Sequence, residues 1–129
     1  MNEYYQQISS YFNENQSVIA VYHHGSRSKG VFREDSDFDI ALLLNYDISL
    51  TSLEILTIGS ELESIMPFQF DISIINTENL ILAKEVIVNG KCVLCNDRMA
   101  KEYFEMMVFS MYARLQYDRR EVLNEYTIR

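Results

Sequence analysis

Three aspartates in this sequence stand where their carboxylates could converge on one cation. Asp37 and Asp39 are separated by a single residue at the start of an apolar run, Ile40–Leu44. Side chains two positions apart on a β-strand project from the same face, so both carboxylates would point the same way. Such a pair repels unless a hard divalent cation lies between its members, and oxygen ligands suit Mg²⁺ or Mn²⁺ better than zinc. The pair therefore indicates a metal site, and a solvated turn is the alternative.

Asp71 is the third carboxylate. It lies between Phe70 and Ile72 in an alternating apolar segment, where a carboxylate is out of place without a positive partner. A cation held jointly with Asp37 and Asp39 would supply that partner. A salt bridge from Asp71 to a Lys or Arg side chain is the alternative.

Gly25 and Ser26 follow directly after the apolar segment Ser17–His24 and open a polar stretch. A turn from a strand into a short helix near Ser26 would direct backbone N–H groups and the Ser hydroxyl at an anion such as a phosphate. Gly suits this position because a backbone without a Cβ can come close to the phosphate. On its own a Gly-Ser pair is an ordinary turn, so it is informative only together with the aspartates.

The rest of the sequence supplies the elements that must position these residues. We predict helices over residues 2–14, 50–66, 78–88 and 98–126. We predict strands over residues 17–24, from Asp37 into the apolar run, over residues 68–76, and as a short edge strand at 92–95. Helices interleaved with a small sheet define an α/β or α+β domain of two layers, with a long C-terminal helix.

Apolar residues at helical spacing predict which helix faces pack on the body. On the helix over residues 50–66 they are Leu53, Leu56, Leu62 and Ile65, and on the C-terminal helix they are Phe104, Val108, Met111, Tyr112, Leu115 and Val122. We expect packing or hydrogen-bonding roles for His23 and His24. Cys92 and Cys95 would point to opposite faces of an extended strand, and with no further Cys or His pair nearby we expect buried or partly buried free thiols there.

The size and charge of the chain indicate its number of domains, its kind of partner and its location. With 129 residues, 48% of them hydrophobic, the chain predicts one domain over residues 1–129. A formal net charge of −8 argues against direct nucleic-acid binding and favours a basic protein partner. No apolar stretch is long enough for a bilayer and no leader pattern is visible, so we expect a cytoplasmic protein without a membrane partner.

The segment GSRSKGVFREDSDFD resembles the G-S-x10-D-x-D signature of the nucleotidyltransferase superfamily that includes DNA polymerase β and aminoglycoside nucleotidyltransferases. By its length the chain is most similar to the minimal nucleotidyltransferases. The resemblance covers residues 15–95, and its motifs are fairly specific because phosphate loop, carboxylate pair and third carboxylate occur in this order.

The resemblance implies a catalytic set of Ser26, Asp37, Asp39 and Asp71. Asp37 and Asp39 would bridge two Mg²⁺ ions, for which Mn²⁺ can substitute, and Asp71 would ligate the ion that activates the acceptor. Gly25, Ser26 and Lys29 would bind the outer phosphates of ATP. Family loops often carry Arg where this chain has Lys29, and Lys neutralises a phosphate without a two-pronged contact.

Many minimal nucleotidyltransferases are antitoxins of HEPN-domain ribonuclease toxins. The resemblance implies that this chain is such a prokaryotic antitoxin and transfers AMP from ATP to a tyrosine of its cognate HEPN toxin. It lacks the Arg-x4-His motif of the toxins, since its only histidines are His23 and His24. Two alternatives stay open: an enzyme with a small-molecule acceptor of the aminoglycoside type, and a non-catalytic antitoxin that acts by occlusion.

Overall fold

The computed structural model of the protein describes residues 2–25 and 37–128, with the side chains of residues 3–25 and 37–125. The elements in chain order are α1 Asn2–Phe12, β1 Val18–His24, β2 Phe38–Leu44, α2 Ser52–Ile65, β3 Phe70–Ile74, α3 Leu80–Asn89, β4 Lys91–Cys95 and α4 Arg98–Ile128. Each helix and strand predicted for these residues is present, with ends shifted by at most a few positions.

The four strands form one mixed sheet in the order β3-β2-β1-β4. β1 is antiparallel to both β2 and β4, whereas β2 and β3 are parallel. A parallel pair needs a crossover connection, and α2 supplies it between β2 and β3. The two central strands, β1 and β2, are buried along almost their whole length.

Helices cover both faces of this sheet: α1 and α2 lie on one face, and α3 and α4 lie on the other. A separate hydrophobic core lies between the sheet and each pair of helices. The first core contains Ile8 and Phe12 of α1 together with Leu62 of α2. The second contains Ala83 and Val86 of α3 and Val108 of α4. The α/β class, the mixed sheet and the long C-terminal helix are confirmed, and the sheet is the middle of three layers instead of one side of two. Central strands that are apolar on both faces require cover on both sides.

The packed face of α2 differs from the predicted one. Leu62 is buried as expected, but Leu53, Leu56 and Ile65 are exposed. The helix turns Gly59 and Leu62 toward the sheet instead. A side-chain carbon at Gly59 would lie 3.9 Å from the Ile72 side chain, so this part of the helix faces β3. Apolar residues occur on more than one side of α2, and their spacing alone did not select the buried side.

Only the first part of α4 packs on the body, against α3 and β1. Val108 is buried and Phe104 packs against it, as predicted, whereas Met111 and Val122 are exposed. The reason is length: 31 helical residues extend about 46 Å, far beyond a sheet whose strands have at most seven residues. Within residues 2–25 and 37–128, no helix combines the length and apolarity that a membrane crossing requires.

The expectation that Cys92 and Cys95 point to opposite faces is wrong. Cys92 pairs with Tyr22 and Cys95 with Ala20, and the register shifts between these pairs. Because Tyr22 and Ala20 lie on the same face of β1, this irregularity brings both cysteines to that face as well. Both are free, as expected, but they are exposed and not buried or partly buried, because β4 is an edge strand of the sheet.

Candidate active site

Three neighbouring strands contribute side chains to one row that crosses the sheet at one end of the strands. Asp39 of β2 is in register with Asp71 of the parallel strand β3, and on its other side with His24 of the antiparallel strand β1. Register partners project from the same face of a sheet, with Cβ atoms about 4.5–5.5 Å apart. The row His24, Asp39, Asp71 therefore lies on the same face as Ala41, which belongs to the second core.

Asp37 lies one residue before β2 and is exposed. The backbone N–H of Phe38 donates to the carbonyl of Gln69 over 2.7 Å, so the chain is already tied to the β3 segment at this point. Strand alternation then places Asp37 on the same side as Asp39. Asp71 is also exposed, and Asp39 is half-buried. The carboxylates therefore lie at an end of the sheet that solvent and a ligand can reach.

Gly25 directly follows β1 and lies against the Asp39 carboxylate. Its φ of +80° lies in the left-handed region that side chains disfavour. A Cβ at Gly25 would overlap Oδ2 of Asp39. Both observations require glycine here, and they place the turn after β1 in contact with the carboxylate row.

Two of the predicted phosphate-binding residues, Ser26 and Lys29, lie outside the described residues, as does the short helix predicted near Ser26. The structure thus brings together Gly25, Asp39 and Asp71 of the predicted set, with Asp37 adjoining them.

The opposite face of the sheet carries an aromatic layer directly behind the carboxylates. His23 is fully buried, and its ring stacks on Phe38 with centroids 4.0 Å apart and planes 7° apart. The Tyr5 hydroxyl lies 2.6 Å from Nδ1 of His23. Burial raises the pKa of Tyr5, so the phenol keeps its proton and can donate it to Nδ1. The predicted packing and hydrogen-bonding role of His23 is confirmed.

Sequence reasoning missed two residues that support the site from a distance. Glu63 of α2 accepts a hydrogen bond of 3.0 Å from the backbone N–H of Phe70, the residue before Asp71. Tyr5 of α1 holds His23, as described above. Both contacts join elements that are distant in sequence, so no local pattern could have indicated them.

The donor set fits a hard divalent cation. Asp37, Asp39 and Asp71 offer only carboxylate oxygens, the ligands that Mg²⁺ prefers, and Gly25 leaves the space beside Asp39 free of a side-chain carbon. Within the described part of the chain, no three His, Cys, Asp or Glu side chains already form a group that could enclose a metal ion. Mg²⁺ is compatible with fewer protein ligands, because it usually keeps several waters and binds substrate phosphates as well.

A comparison with known families matches residues 6–99 to the family described as polymerase beta, nucleotidyltransferase. The match includes more than half of the chain and spans Gly25, Asp37, Asp39 and Asp71. The chain belongs to this nucleotidyltransferase family.

Individual relatives agree with this assignment. The protein adenylyltransferase MntA of Shewanella oneidensis is 27% identical over 105 residues, which are 81% of this chain and 73% of MntA. A chain in the crystal structure of a toxin-antitoxin with AMP-PNP matches with a TM-score of 0.75 at 23% identity, over 95% of this chain and 98% of the other.

A second solved structure contains a tri-AMPylated Shewanella oneidensis HEPN toxin in complex with an MNT antitoxin. It matches with a TM-score of 0.72 at 22% identity, over 98% of this chain and 99% of the other. At these identities the solved structures establish a common fold.

Proposed function

We propose that this protein is an antitoxin that transfers AMP from ATP to a tyrosine of a partner HEPN-domain ribonuclease toxin and thereby neutralises it. The observation that carries the proposal is the parallel register of Asp39 with Asp71, with Gly25 in contact with Asp39. A nucleotidyl transfer needs carboxylates that hold Mg²⁺ beside a loop that can approach phosphates. This end of the sheet has both the carboxylates and the turn that begins at Gly25.

The relatives support the choice of acceptor and nucleotide. MntA carries the name protein adenylyltransferase, and the two complexes contain AMP-PNP in one case and a tri-AMPylated HEPN toxin in the other. The net charge of −8 also suits a protein partner with a basic surface better than it suits a nucleic acid.

In the proposed reaction the phenolic oxygen of the toxin tyrosine attacks the α-phosphorus of ATP. A new phosphorus–oxygen bond forms, the bond from the α-phosphorus to the bridging oxygen breaks, and pyrophosphate leaves in line. The phenolic proton passes to the exposed carboxylate of Asp71 or to solvent. The products are the AMP ester of tyrosine and pyrophosphate.

The residues of this chain mostly position the reactants. Asp37 and Asp39 would hold Mg²⁺, and Asp71 would ligate the ion that activates the acceptor hydroxyl. Gly25, Ser26 and Lys29 would bind the outer phosphates. Bound Mg²⁺ would lower the pKa of the attacking hydroxyl and neutralise charge on the departing pyrophosphate.

The test is transfer of label from α-labelled ATP to a purified HEPN-domain toxin that this protein neutralises, with Mg²⁺ present. Wild type is compared with Asp39→Asn and with the matched control Asp47→Asn, an exposed aspartate just beyond the other end of β2. We expect label on the toxin with wild type and Asp47→Asn, and at least about 100-fold less with Asp39→Asn. Labelled peptides are then mapped to identify the acceptor as tyrosine.

Other results would overturn the proposal in distinguishable ways. Equal labelling by Asp39→Asn would exclude this carboxylate from the chemistry. ATP and Mg²⁺ binding without label on the toxin would favour a small-molecule acceptor. Neutralisation of the toxin in cells by Asp39→Asn, at wild-type strength, would favour occlusion.

A further inference from the structure

We propose that His23 is a positioning residue for the metal-binding carboxylates and that Tyr5 of α1 fixes its ring, so that the first helix controls the affinity of the site for Mg²⁺. This inference rests on the proposed function, because it concerns the same carboxylates. It adds a part of the chain, α1, that the reaction itself does not use.

The contact between His23 and the site runs through Phe38. Phe38 is the residue between Asp37 and Asp39, and it is fully buried on the opposite face of the sheet. Its ring is stacked on the His23 ring at 4.0 Å with nearly parallel planes. Successive side chains of a strand share one backbone, so a shift of the Phe38 ring moves the backbone that carries both carboxylates.

The same aromatic layer also reaches the third carboxylate. The Phe38 ring lies 5.3 Å from the Phe70 ring, centroid to centroid, and Phe70 directly precedes Asp71. Phe38 and Phe70 are register partners on β2 and β3, as Asp39 and Asp71 are. The spacing of the two carboxylates on one face is therefore linked to the packing of two rings on the other.

The contact with Tyr5 sets the orientation of the His23 imidazole. Stacking alone leaves the imidazole free to turn by 180° about its bond to Cβ, since a flipped ring presents the same flat face. The hydrogen bond from Tyr5 to Nδ1, over 2.6 Å, selects one orientation. The Tyr5 ring also meets the His23 ring edge-on at 5.4 Å, so α1 holds the imidazole through two contacts. A core contact needed only for packing would not require the hydroxyl.

The experiment compares Tyr5→Phe with Tyr4→Phe. Tyr4 is the neighbouring residue of α1, its ring packs edge-on against Phe68 at 4.8 Å, and its hydroxyl makes no hydrogen bond within the part of the chain that the structure describes. Both variants lose one phenolic oxygen from the same helix, but only Tyr5→Phe loses the bond to His23.

Two readouts separate positioning from general stability. The first is the Mg²⁺ concentration for half-maximal AMP transfer at saturating ATP, and the second is direct Mg²⁺ binding to the protein alone by titration calorimetry. We expect Tyr5→Phe to raise the half-activating concentration and the dissociation constant by more than about twofold and by at most about tenfold, since the net energy of one hydrogen bond sets the upper limit. Tyr4→Phe leaves both within about a factor of two of wild type.

A double-variant cycle provides the second test. His23→Phe keeps a ring on Phe38 but removes the Nδ1 acceptor, so its effect on Mg²⁺ affinity and that of Tyr5→Phe are non-additive if they act through one bond. The inference is overturned if Tyr5→Phe binds Mg²⁺ like Tyr4→Phe, or if its rate falls while both Mg²⁺ values stay unchanged. If wild type binds Mg²⁺ but transfers no AMP, the proposed function fails and the binding comparison still decides this inference.

Discussion

Gly25 and the Asp39 carboxylate occupy adjoining space so closely that a single added carbon at Gly25 would overlap Oδ2 of Asp39. Gly25 also has a φ of +80°, which costs a residue with a side chain about 1–2 kcal/mol. The turn that begins the predicted phosphate loop and the carboxylate predicted to hold the metal are thus one packed unit, and a change in either must displace the other.

The first prediction concerns this unit. Gly25→Ala is expected to reduce AMP transfer by at least about 100-fold, because displacement of Asp39 by about an ångström misplaces the metal and the reacting phosphate. The control is Gly59→Ala in α2, where the added carbon would lie 3.9 Å from its nearest neighbours. That variant should retain full transfer and gain up to about 1 kcal/mol in free energy of unfolding. Equal activity of the two variants would contradict the prediction.

The second prediction concerns Mg²⁺ and thermal stability. Mg²⁺ that binds only the folded protein should raise the free energy of unfolding of wild type by about 2.7 kcal/mol at a hundred times its dissociation constant. Asp39→Asn and Asp71→Asn should lose most of this gain, and Asp47→Asn should keep it. Differential scanning calorimetry with and without Mg²⁺ measures the effect. An equal gain in all variants would place the cation elsewhere.

The third prediction concerns Tyr22, whose ring is buried at the centre of the second core. Its hydroxyl is buried and finds no hydrogen-bond partner among residues 2–25 and 37–128. Removing an unsatisfied polar group is favourable, so Tyr22→Phe should raise the free energy of unfolding by about 1 kcal/mol. Tyr5→Phe loses a hydrogen bond that is made and should lower it by a similar amount. Urea denaturation measures both, and destabilisation by Tyr22→Phe would contradict the prediction.

The fourth prediction is an alkaline loss of stability that also involves Tyr22. Burial, followed by the charge of Glu105, raises the pKa of Tyr22 far above its usual value. In the unfolded chain the phenol loses its proton near pH of about 10, while the folded protein retains it. The folded state then binds more protons than the unfolded state, so the contribution of Tyr22 to stability is constant below that pH and falls above it. Urea midpoints from about pH 8 to about pH 11 should show a shallower fall for Tyr22→Phe.

The fifth prediction tests the start of α2. Thr51 and Glu54 form a capping box, in which the Thr51 hydroxyl accepts from the Glu54 N–H and the Glu54 carboxylate accepts from the Thr51 N–H, each over 3.2 Å. Thr51→Ala should cost about 1 kcal/mol of stability and leave AMP transfer by the folded protein unchanged. Thr57→Ala, on the same helix, should change stability by less than about 0.5 kcal/mol.

The sequence predicted the parts of this site that depend on local patterns. Alternation identified β2 and β3 and placed Asp37 and Asp39 on one side of a strand, because the two-residue repeat is a property of the backbone itself. An aspartate within an apolar strand marked Asp71 as a functional candidate for a comparable reason. The types and approximate ends of the helices followed from apolar spacing, from Pro67 and from Gly90.

Features that depend on contacts between distant residues were beyond prediction. The register of Asp39 with Asp71 depends on how α2 crosses over the sheet, and the sequence of α2 does not determine that geometry. The β4 irregularity that turns Cys92 and Cys95 to one face arises from pairing with β1. The buried side of α2 was mispredicted for a similar reason, since apolar residues were available on several sides and the sheet selected one.

Asn96, directly after β4, has a consequence for how the protein forms during synthesis. Its side-chain amide donates to the carbonyls of Phe12, Asn15 and Val18, which lie 84, 81 and 78 positions earlier in the chain. Contacts between such distant positions form late, because a long loop must close before they stabilise anything. The N-terminal helix and the start of β1 therefore acquire these bonds only after residue 96 has left the ribosome. A nascent chain shorter than this lacks β4 and therefore has an open sheet edge along β1.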